Sequence, residues 1–242
     1  MAFSHKWMAD AAERAFSGMF REIEVESAER LDEKLKRVRL RGDLTNTRCE
    51  LGNIMQLRVS DTAYRHYTPI NFNSNEGTFE LLLYLHDGGP GSDWSAQLNP
   101  GDKLTAMRPA AKMQYEPAFN SHCVFGDETS LGLAQCFYDS PLLRTRTLVN
   151  LIELDGRHQH WPHLMQVPMT TVGKSQTRPG SGAVLWLNAL NTQEWQALKD
   201  GGFYLTGNAK SIQTLRNALR DRGVHKSQIQ TLPYWAENKV GL

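Results

Sequence analysis

The hydrophobic pattern of the chain changes in character at about its midpoint. Up to about residue 115, segments such as KLKRVRLRGD alternate polar and apolar residues, with Val38 and Leu40 set between arginines. From SHCVFG (121–126) onward, short apolar strands alternate with helical segments. Closely spaced alternating strands are typical of an antiparallel sheet, and strand–helix–strand order is typical of a parallel sheet. The sequence therefore predicts two domains, an all-β antiparallel barrel over residues 1–116 and an α/β domain with a parallel sheet over residues 117–242.

Hydrophobic periodicity also predicts the individual elements. An amphipathic helix is expected at 5–20, and its apolar stripe is predicted to pack in the core, with a dimer contact as the alternative. Helices are also predicted at 127–140 and 208–223. The predicted strands are REIEVESAERL, KLKRVRLRGD, 53–60, 63–73, 78–86, 102–110, 121–126, 147–154, 182–190 and 202–207.

Charge and cysteine content argue against several classes of function. The 242 residues include 27 Lys and Arg and 26 Asp and Glu, a net charge of +1, which does not favour a nucleic-acid or polybasic membrane-binding protein. No apolar run approaches the roughly 18 residues of a membrane span, and charges interrupt the N-terminal segment where a signal peptide would be apolar. The three cysteines have no C-x-x-C spacing, so a four-cysteine iron–sulfur cluster is excluded within this chain. We expect a reduced, cytoplasmic protein, either a monomer or a homodimer.

The glycine-rich segment YLHDGGPGSDW (84–94) has two functional interpretations. It could be the oxyanion loop of an α/β-hydrolase, but no G-x-S-x-G nucleophile motif occurs in the chain, and the chain begins with antiparallel strands. Alternatively, Gly88, Gly89 and Gly91 could bring the backbone close to an anion. Ser92 would then cap a short helix that starts near Asp93 and offers its N–H groups to a phosphate. A tight strand–helix turn without a ligand remains an alternative at this point.

A series of motifs in the same order along the chain favours the phosphate interpretation. RHYT (65–68) precedes HDGGPGSDW, which is followed by PGD (100–102), FGDETSLGLA (125–134), YLTGNAKSIQTLRNALRDRGV (204–224) and a C-terminal LPYW. This ordered set resembles the siderophore-interacting protein family, FAD-dependent ferric-siderophore reductases of the ferredoxin-reductase-like superfamily. The resemblance implies that the barrel binds FAD and that the α/β domain is nicotinamide-binding-like, with NAD(P)H as the electron donor.

The resemblance also implies roles for individual residues. Arg65 would pair with the FAD pyrophosphate, Tyr67 would pack against the isoalloxazine ring, and Thr68 would hydrogen-bond near the reactive N5. The remaining cofactor-binding residues in the first domain would be His66, His86, Gly88, Gly89, Gly91, Ser92 and Trp94. In the second domain, Asp127, Thr129 and Ser130 would face the flavin and the nicotinamide, and Tyr234 and Trp235 would close the site.

The acceptor would be a ferric siderophore or another Fe(III) chelate, and an anionic chelate favours a positively charged edge, for which Lys112 and Lys239 are candidates. Lys174 and Arg178 could contact a 2′-phosphate. Two further hypotheses stay open, namely a flavin- or ferredoxin-linked reductase with another acceptor, and a flavin- or siderophore-binding module without turnover.

Departures from the family pattern motivate the last of these hypotheses. Ile70 stands where the family usually has Arg, Arg108-Pro109 replaces a Gly-Pro, and Asn208 replaces an acidic residue. The Trp-x-x-Arg expected after the MTTV strand is missing. GRHQHWPHLM (156–165) carries three histidines, and we interpret it as a polar surface loop, with a metal site as the alternative.

Overall fold

A computed structural model of the chain describes residues 5–237. The described chain forms two compact units, residues 5–112 and residues 113–237. The first unit contains an antiparallel sheet and the second a parallel sheet covered by helices, which confirms the predicted fold class. The predicted domain boundary, 116/117, lies four residues after the division between the units. No helix within the described residues is long and apolar enough to span a membrane.

The first unit is built on one highly curved sheet. Its elements are α1 (Lys6–Ala15), β1 (Phe20–Asp32), β2 (Leu35–Gly42), β3 (Asn53–Arg58), β4 (Tyr64–Tyr67), β5 (Ile70–Asn73), β6 (Thr78–Tyr84), α2 (Pro90–Gln97), β7 (Lys103–Met107) and β8 (Ala110–Ala111). The strand order is β4-β3-β7-β1-β2-β6-β5, and β8 pairs with β3. The two end strands, β4 and β5, are joined only by Thr68 and Pro69, so the sheet has to curl until its ends approach each other.

The alternating pattern of β2 explains the core of this unit. Val38 and Leu40 are fully buried in the apolar cluster under the sheet. Arg39 and Arg41 lie on the outer face, where both bind the carboxylate of Glu26 on β1. The strand predicted at 63–73 is divided into β4 and β5, because Pro69 has no N–H to continue a ladder.

Helix α1 corrects two sequence predictions. The helix ends at Ala15, before the predicted residue 20. Its apolar stripe does not pack in the core, since Trp7 is 67% exposed and Phe16 is 59% exposed. The polar side of the helix faces the sheet instead, where the guanidinium of Arg58 on β3 binds the carboxylate of Asp10 at 2.8 Å. Ion pairing with a largely buried arginine therefore decides which face of this helix is covered.

The second unit contains a five-stranded parallel sheet. Its elements are β9 (Ser121–Asp127), α3 (Leu131–Asp139), β10 (Thr147–Leu154), α4 (Trp161–Met165), β11 (Thr170–Gly173), α5 (Ser181–Ala189), α6 (Thr192–Leu198), β12 (Gly202–Asn208), α7 (Ala209–Asp221) and β13 (Ile229–Trp235). The strand order is β11-β10-β9-β12-β13. The chain runs outward from β9 to β11 and returns to β12 on the other side of β9. The carboxyl ends of β9 and β12 therefore form a topological switch point, the usual ligand position in such sheets.

The segment at 182–190, predicted as a strand, is helix α5. Its residues are apolar almost throughout, so periodicity alone could not distinguish a buried strand from a helix. Ala183 and Leu187, one helical turn apart, are both fully buried in the core cluster of the unit. The buried residues therefore have the spacing of one face of a helix, not the alternate spacing of a strand.

Candidate functional site

The glycine loop of the first unit brings α2 against β4. Gly88 and Gly89 have φ values of +76° and +105°, in the region that favours glycine, and Gly89 is the N-cap of α2. A Cβ atom on Gly91 would lie 3.3 Å from both Arg65 Cγ and Tyr67 Oη. A side chain at this position would press on both neighbours. The loop thus allows close contact between two of the motifs that sequence analysis singled out.

Arg65 and Tyr67 combine a planar cation with an aromatic surface. The Arg65 guanidinium donates one hydrogen bond within residues 5–237, from Nη1 to the carbonyl of Tyr64 at 2.9 Å. The Tyr67 ring centroid lies 5.7 Å from that of Trp94 on α2. Burial raises the pKa of Tyr67 to about 12, although a hydrogen bond with Ser95 and the charge of Arg65 oppose this rise. The Tyr67 phenol therefore stays protonated at neutral pH.

Ser92 does not occupy the predicted capping position. It lies inside α2, which starts at Pro90, and its hydroxyl donates to the carbonyl of His86 at 2.6 Å. The helix N-terminus has no side-chain cap, because its N-cap residue is a glycine. The prediction that Ser92 caps this helix was therefore wrong, and the hydroxyl instead holds the loop closed. The His86 side chain is exposed, with its ring 5.8 Å from that of Tyr84.

His66 and Lys112 lie within electrostatic reach of each other at the edge of the same unit. His66 Nε2 is 2.5 Å from the side-chain nitrogen of Gln56 on β3. Burial, together with the charges of Lys112 and Arg65, lowers the pKa of His66 to about 4. His66 is therefore neutral at pH 7, while the exposed Lys112 carries the positive charge. Thr68 is half-buried in the link between β4 and β5.

In the second unit, Asp127 organises the topological switch point. The Asp127 side chain is almost fully buried, and its carboxylate accepts hydrogen bonds from Thr129 N at 2.9 Å and Thr129 Oγ1 at 2.5 Å. It also accepts hydrogen bonds from Asn208 N at 3.1 Å and Trp235 Nε1 at 2.7 Å. These contacts join the carboxyl ends of β9, β12 and β13. Trp235, predicted to close the site, is thereby fixed at the end of β9.

The other candidate residues of this unit differ in how accessible they are to a ligand. Ser130 is fully buried, and its oxygen accepts hydrogen bonds from Asp127 N and Thr206 Oγ1, so it is not accessible to a ligand. Tyr234 is half-buried on β13. Lys239 lies outside the described residues.

A buried ion pair that was not expected from the sequence lies beside Asp127. The Glu128 carboxylate, with a side chain 1% exposed, accepts from Lys174 Nζ at 2.5 Å, His158 Nδ1 at 3.0 Å and Asp155 N at 2.9 Å. Burial acts to raise the pKa of Glu128, but Lys174 and the hydrogen bonds lower it overall. The signal in the sequence was an acidic residue directly after a buried strand.

This ion pair corrects the interpretation of the histidine-rich segment. His158 is buried and stacks on Trp161 with ring centroids 4.0 Å apart, so the segment is not simply a polar surface loop. Within the described part of the chain, no group of three His, Cys, Asp or Glu side chains is arranged to hold a metal ion.

A cavity of about 720 Å³ lies between α5 and α7. Both helices begin at the carboxyl edge of the parallel sheet, the edge at which ligands bind in such folds. The cavity is lined by the cations Arg178 and Lys210 and by the hydroxyls of Ser181 and Thr214, together with apolar residues of α5. It offers both anion-binding groups and an apolar surface. Lys174, the other 2′-phosphate candidate, is not among the lining residues, because its ammonium binds Glu128.

The residues of the first unit fit the parts of FAD. The planar guanidinium of Arg65 suits a pyrophosphate. Because Gly91 has no side chain, the backbone of α2 comes close to the aliphatic part of Arg65. The protonated Tyr67 ring, held beside Trp94, supplies a flat surface for an aromatic ring.

Both units match models of known protein families. Residues 55–113 match the family model of the siderophore-interacting FAD-binding domain, and residues 119–238 match the siderophore-interacting protein model. Among solved structures, a siderophore utilization protein from T. fusca has a TM-score of 0.71 at 23% identity, over 92% of this chain and 95% of that one. A ferredoxin NADP+ reductase from Neisseria gonorrhoeae, with bound FAD and NADP, has a TM-score of 0.68 at 15% identity, over 90% of this chain and 99% of that one.

A curated relative, an NADH-cytochrome b5 reductase-like protein from Arabidopsis thaliana, is 38% identical over 58 residues. This match spans 24% of the chain and only 18% of the plant protein. At these identities the structural neighbours establish the ferredoxin-reductase-like fold. The two family models account for most of the chain, including the glycine-rich segment 84–94 and FGDETSLGLA (125–134). The chain belongs to the siderophore-interacting protein family.

Proposed function

We propose that this protein is an FAD-dependent oxidoreductase that reduces ferric siderophores, with NAD(P)H as the electron donor. The observation that carries the proposal is the contact of α2 with β4, which places Arg65, Tyr67 and Trp94 together. This contact lies within the segment that matches an FAD-binding domain.

When bound, FAD supplies chemistry that side chains lack, since it accepts a hydride and passes electrons on singly. The protein would contribute binding and orientation. Arg65 would hold the pyrophosphate, with the N–H groups at the uncapped start of α2 as further donors. Tyr67 would support the isoalloxazine ring, with its own ring held beside Trp94, and Thr68 would hydrogen-bond at the ring edge.

The cavity between α5 and α7 supports NAD(P)H as the donor. Its volume is in the range of small-molecule sites, and Arg178 would bind a phosphate group, whereas the ammonium of Lys210 pairs with the carboxylate of Glu237. Because Lys174 is committed to Glu128, we assign any 2′-phosphate contact to Arg178 and propose a preference for NADPH. Asp127 would hold Trp235 at the sheet edge.

The acceptor would be an anionic Fe(III) chelate, attracted by the exposed Lys112 and by Lys239. Fe(III) is a hard ion that siderophore oxygens hold tightly, whereas Fe(II) is softer and is held less tightly. One-electron reduction of the chelated iron would therefore release it.

The test is an anaerobic absorbance titration of the purified protein with FAD, then NADPH or NADH, then a ferric siderophore. We expect flavin bands that bleach with NADPH and return on addition of the chelate, with Fe(II) trapped by ferrozine. Arg65→Met should weaken FAD binding, whereas Arg48→Met, at an exposed arginine of the same unit, should not. A protein that takes up no FAD would refute the proposal.

One observation favours a second candidate, a flavin-linked reductase with a protein donor such as a ferredoxin. The switch-point crevice is occupied by the protein's own groups, because Trp235 and the Asn208 N–H both bind Asp127. The same titration distinguishes the two, since this candidate predicts bleaching by dithionite or reduced ferredoxin but not by NADPH or NADH. Bleaching by dithionite with no turnover of any acceptor would indicate a binding module.

A further inference from the structure

Lys36 on β2 is a buried lysine that the proposed mechanism does not use. The residue is 5% exposed, and its ammonium donates to three main-chain carbonyls, those of Ser95 at 3.1 Å, Ala96 at 3.2 Å and Leu98 at 2.7 Å. An ammonium group has three N–H donors, so each of them has an acceptor here. All three acceptors belong to the last turn of α2 or to the residue after it.

Lys36 interrupts an otherwise apolar row. It shares one face of β2 with Val38 and Leu40, both of which are fully buried in the core. A lysine at an inward-facing position is costly unless its charge is compensated. The compensation comes from the carbonyls at the end of α2, which have no partners within the helix and carry the negative end of its dipole. Helix α2 has no basic residue of its own in its last turn.

The segment that Lys36 holds is the one that contacts the candidate flavin residues. Trp94 on α2 lies beside Tyr67, with ring centroids 5.7 Å apart, and Ser95 is close enough to the Tyr67 hydroxyl to influence its pKa. The Ser95 hydroxyl also donates to the carbonyl of Gly91 at 2.7 Å, so it connects the end of α2 to its glycine-rich start. Lys36 thus contacts the main chain of the residue next to Trp94, whose ring lies beside Tyr67.

We propose that Lys36 is a positioning residue for flavin binding, which clamps the C-terminal end of α2 to the sheet and so fixes Trp94 and Ser95 against Tyr67. The role in flavin binding rests on the proposed function, whereas the clamp itself is a property of the protein without FAD. Loss of the three charge-assisted hydrogen bonds leaves the last turn of a two-turn helix uncapped. Such a helix has little stability of its own.

The experiment compares Lys36→Met with Val38→Ala, a core substitution on the same strand and the same face. Amide hydrogen exchange of the FAD-free proteins gives the local readout, and FAD titration gives the functional one. Lys36→Met should accelerate exchange in residues 90–98 and weaken FAD binding by about tenfold. Val38→Ala should lower the stability of the whole sheet without selective exchange in α2. Lys36→Arg, which keeps the positive charge and the donors, should restore much of the FAD affinity.

Equal exchange of α2 in Lys36→Met and Val38→Ala would overturn the clamp. An unchanged FAD affinity in a Lys36→Met protein whose α2 exchanges fast would overturn the positioning role in flavin binding. If Lys36→Met does not fold, Lys36→Gln, which keeps two N–H donors, serves for the same comparison. A wild-type protein that binds no FAD would refute the proposed function. The exchange of α2 would then still decide whether Lys36 clamps the helix.

Discussion

Replacing Glu128 with glutamine should destabilise the second unit by about 3 kcal/mol, the lower end of the range for breaking a buried ion pair. The glutamine carbonyl can still accept hydrogen bonds from the Asp155 N–H and from His158. The native carboxylate accepts these bonds at 2.9 and 3.0 Å. The amide NH₂ would then face the ammonium of Lys174, so a 2.5 Å ion pair becomes a contact between two donors. The Asp127 carboxylate, 3.9 Å from Lys174 Nζ, moderates the loss.

Urea unfolding followed by fluorescence measures this effect, because Trp161 stacks on His158 and reports on the same network. Lys174→Met should cost a similar amount, since it leaves a fully buried carboxylate without its cation. The double variant Glu128→Gln, Lys174→Met should be more stable than the sum of the single losses predicts, by about 1.5 kcal/mol or more. Single losses below about 1 kcal/mol that simply add would refute the argument that this pair is energetically coupled.

Three further predictions concern packing, pH and thiol reactivity. Gly126→Ala would place a Cβ atom 2.2 Å from the Ser130 side chain, so thermal unfolding should show a loss of about 2 kcal/mol in the free energy of unfolding. An unchanged melting temperature would contradict this close packing. Burial lowers the pKa of His66 to about 4 from its usual 6.5, so between these pH values the folded protein binds fewer protons than the unfolded chain. The free energy of unfolding should therefore fall as the pH drops from 6.5 to 4, and His66→Gln should flatten this part of the stability–pH profile. Burial raises the pKa of Cys123 to about 12, so iodoacetamide at pH 8 should label this thiol only after unfolding. Rapid labelling of Cys123 in the native protein would contradict its burial.

Most strands, and helix α7 of the second unit, follow from local patterns. The alternation around Val38 and Leu40 fits a strand in a sheet with one buried face, because alternate side chains point to opposite faces. The apolar stripe of α7 likewise fits one face of a helix. The ordered set of motifs from RHYT to the C-terminal LPYW was also sufficient to indicate the family, because several short matches occur in the same order along the chain. The error at 182–190 arose where nearly every residue is apolar, so no periodicity remained to distinguish helix from strand.

What the sequence alone determined, then, is most of the strands, the two-domain class and the motifs on which the candidate site was proposed. Only the tertiary structure decided which polar groups are buried together. The inward-facing Lys36, the pair of Glu128 with Lys174 and the polar face of α1 that binds Arg58 each depend on partners 46 to 62 residues away in the chain. Periodicity reports how a residue relates to its neighbours within one element. The partner that compensates a buried charge is set by the packing of separate elements, so it leaves no local pattern to read.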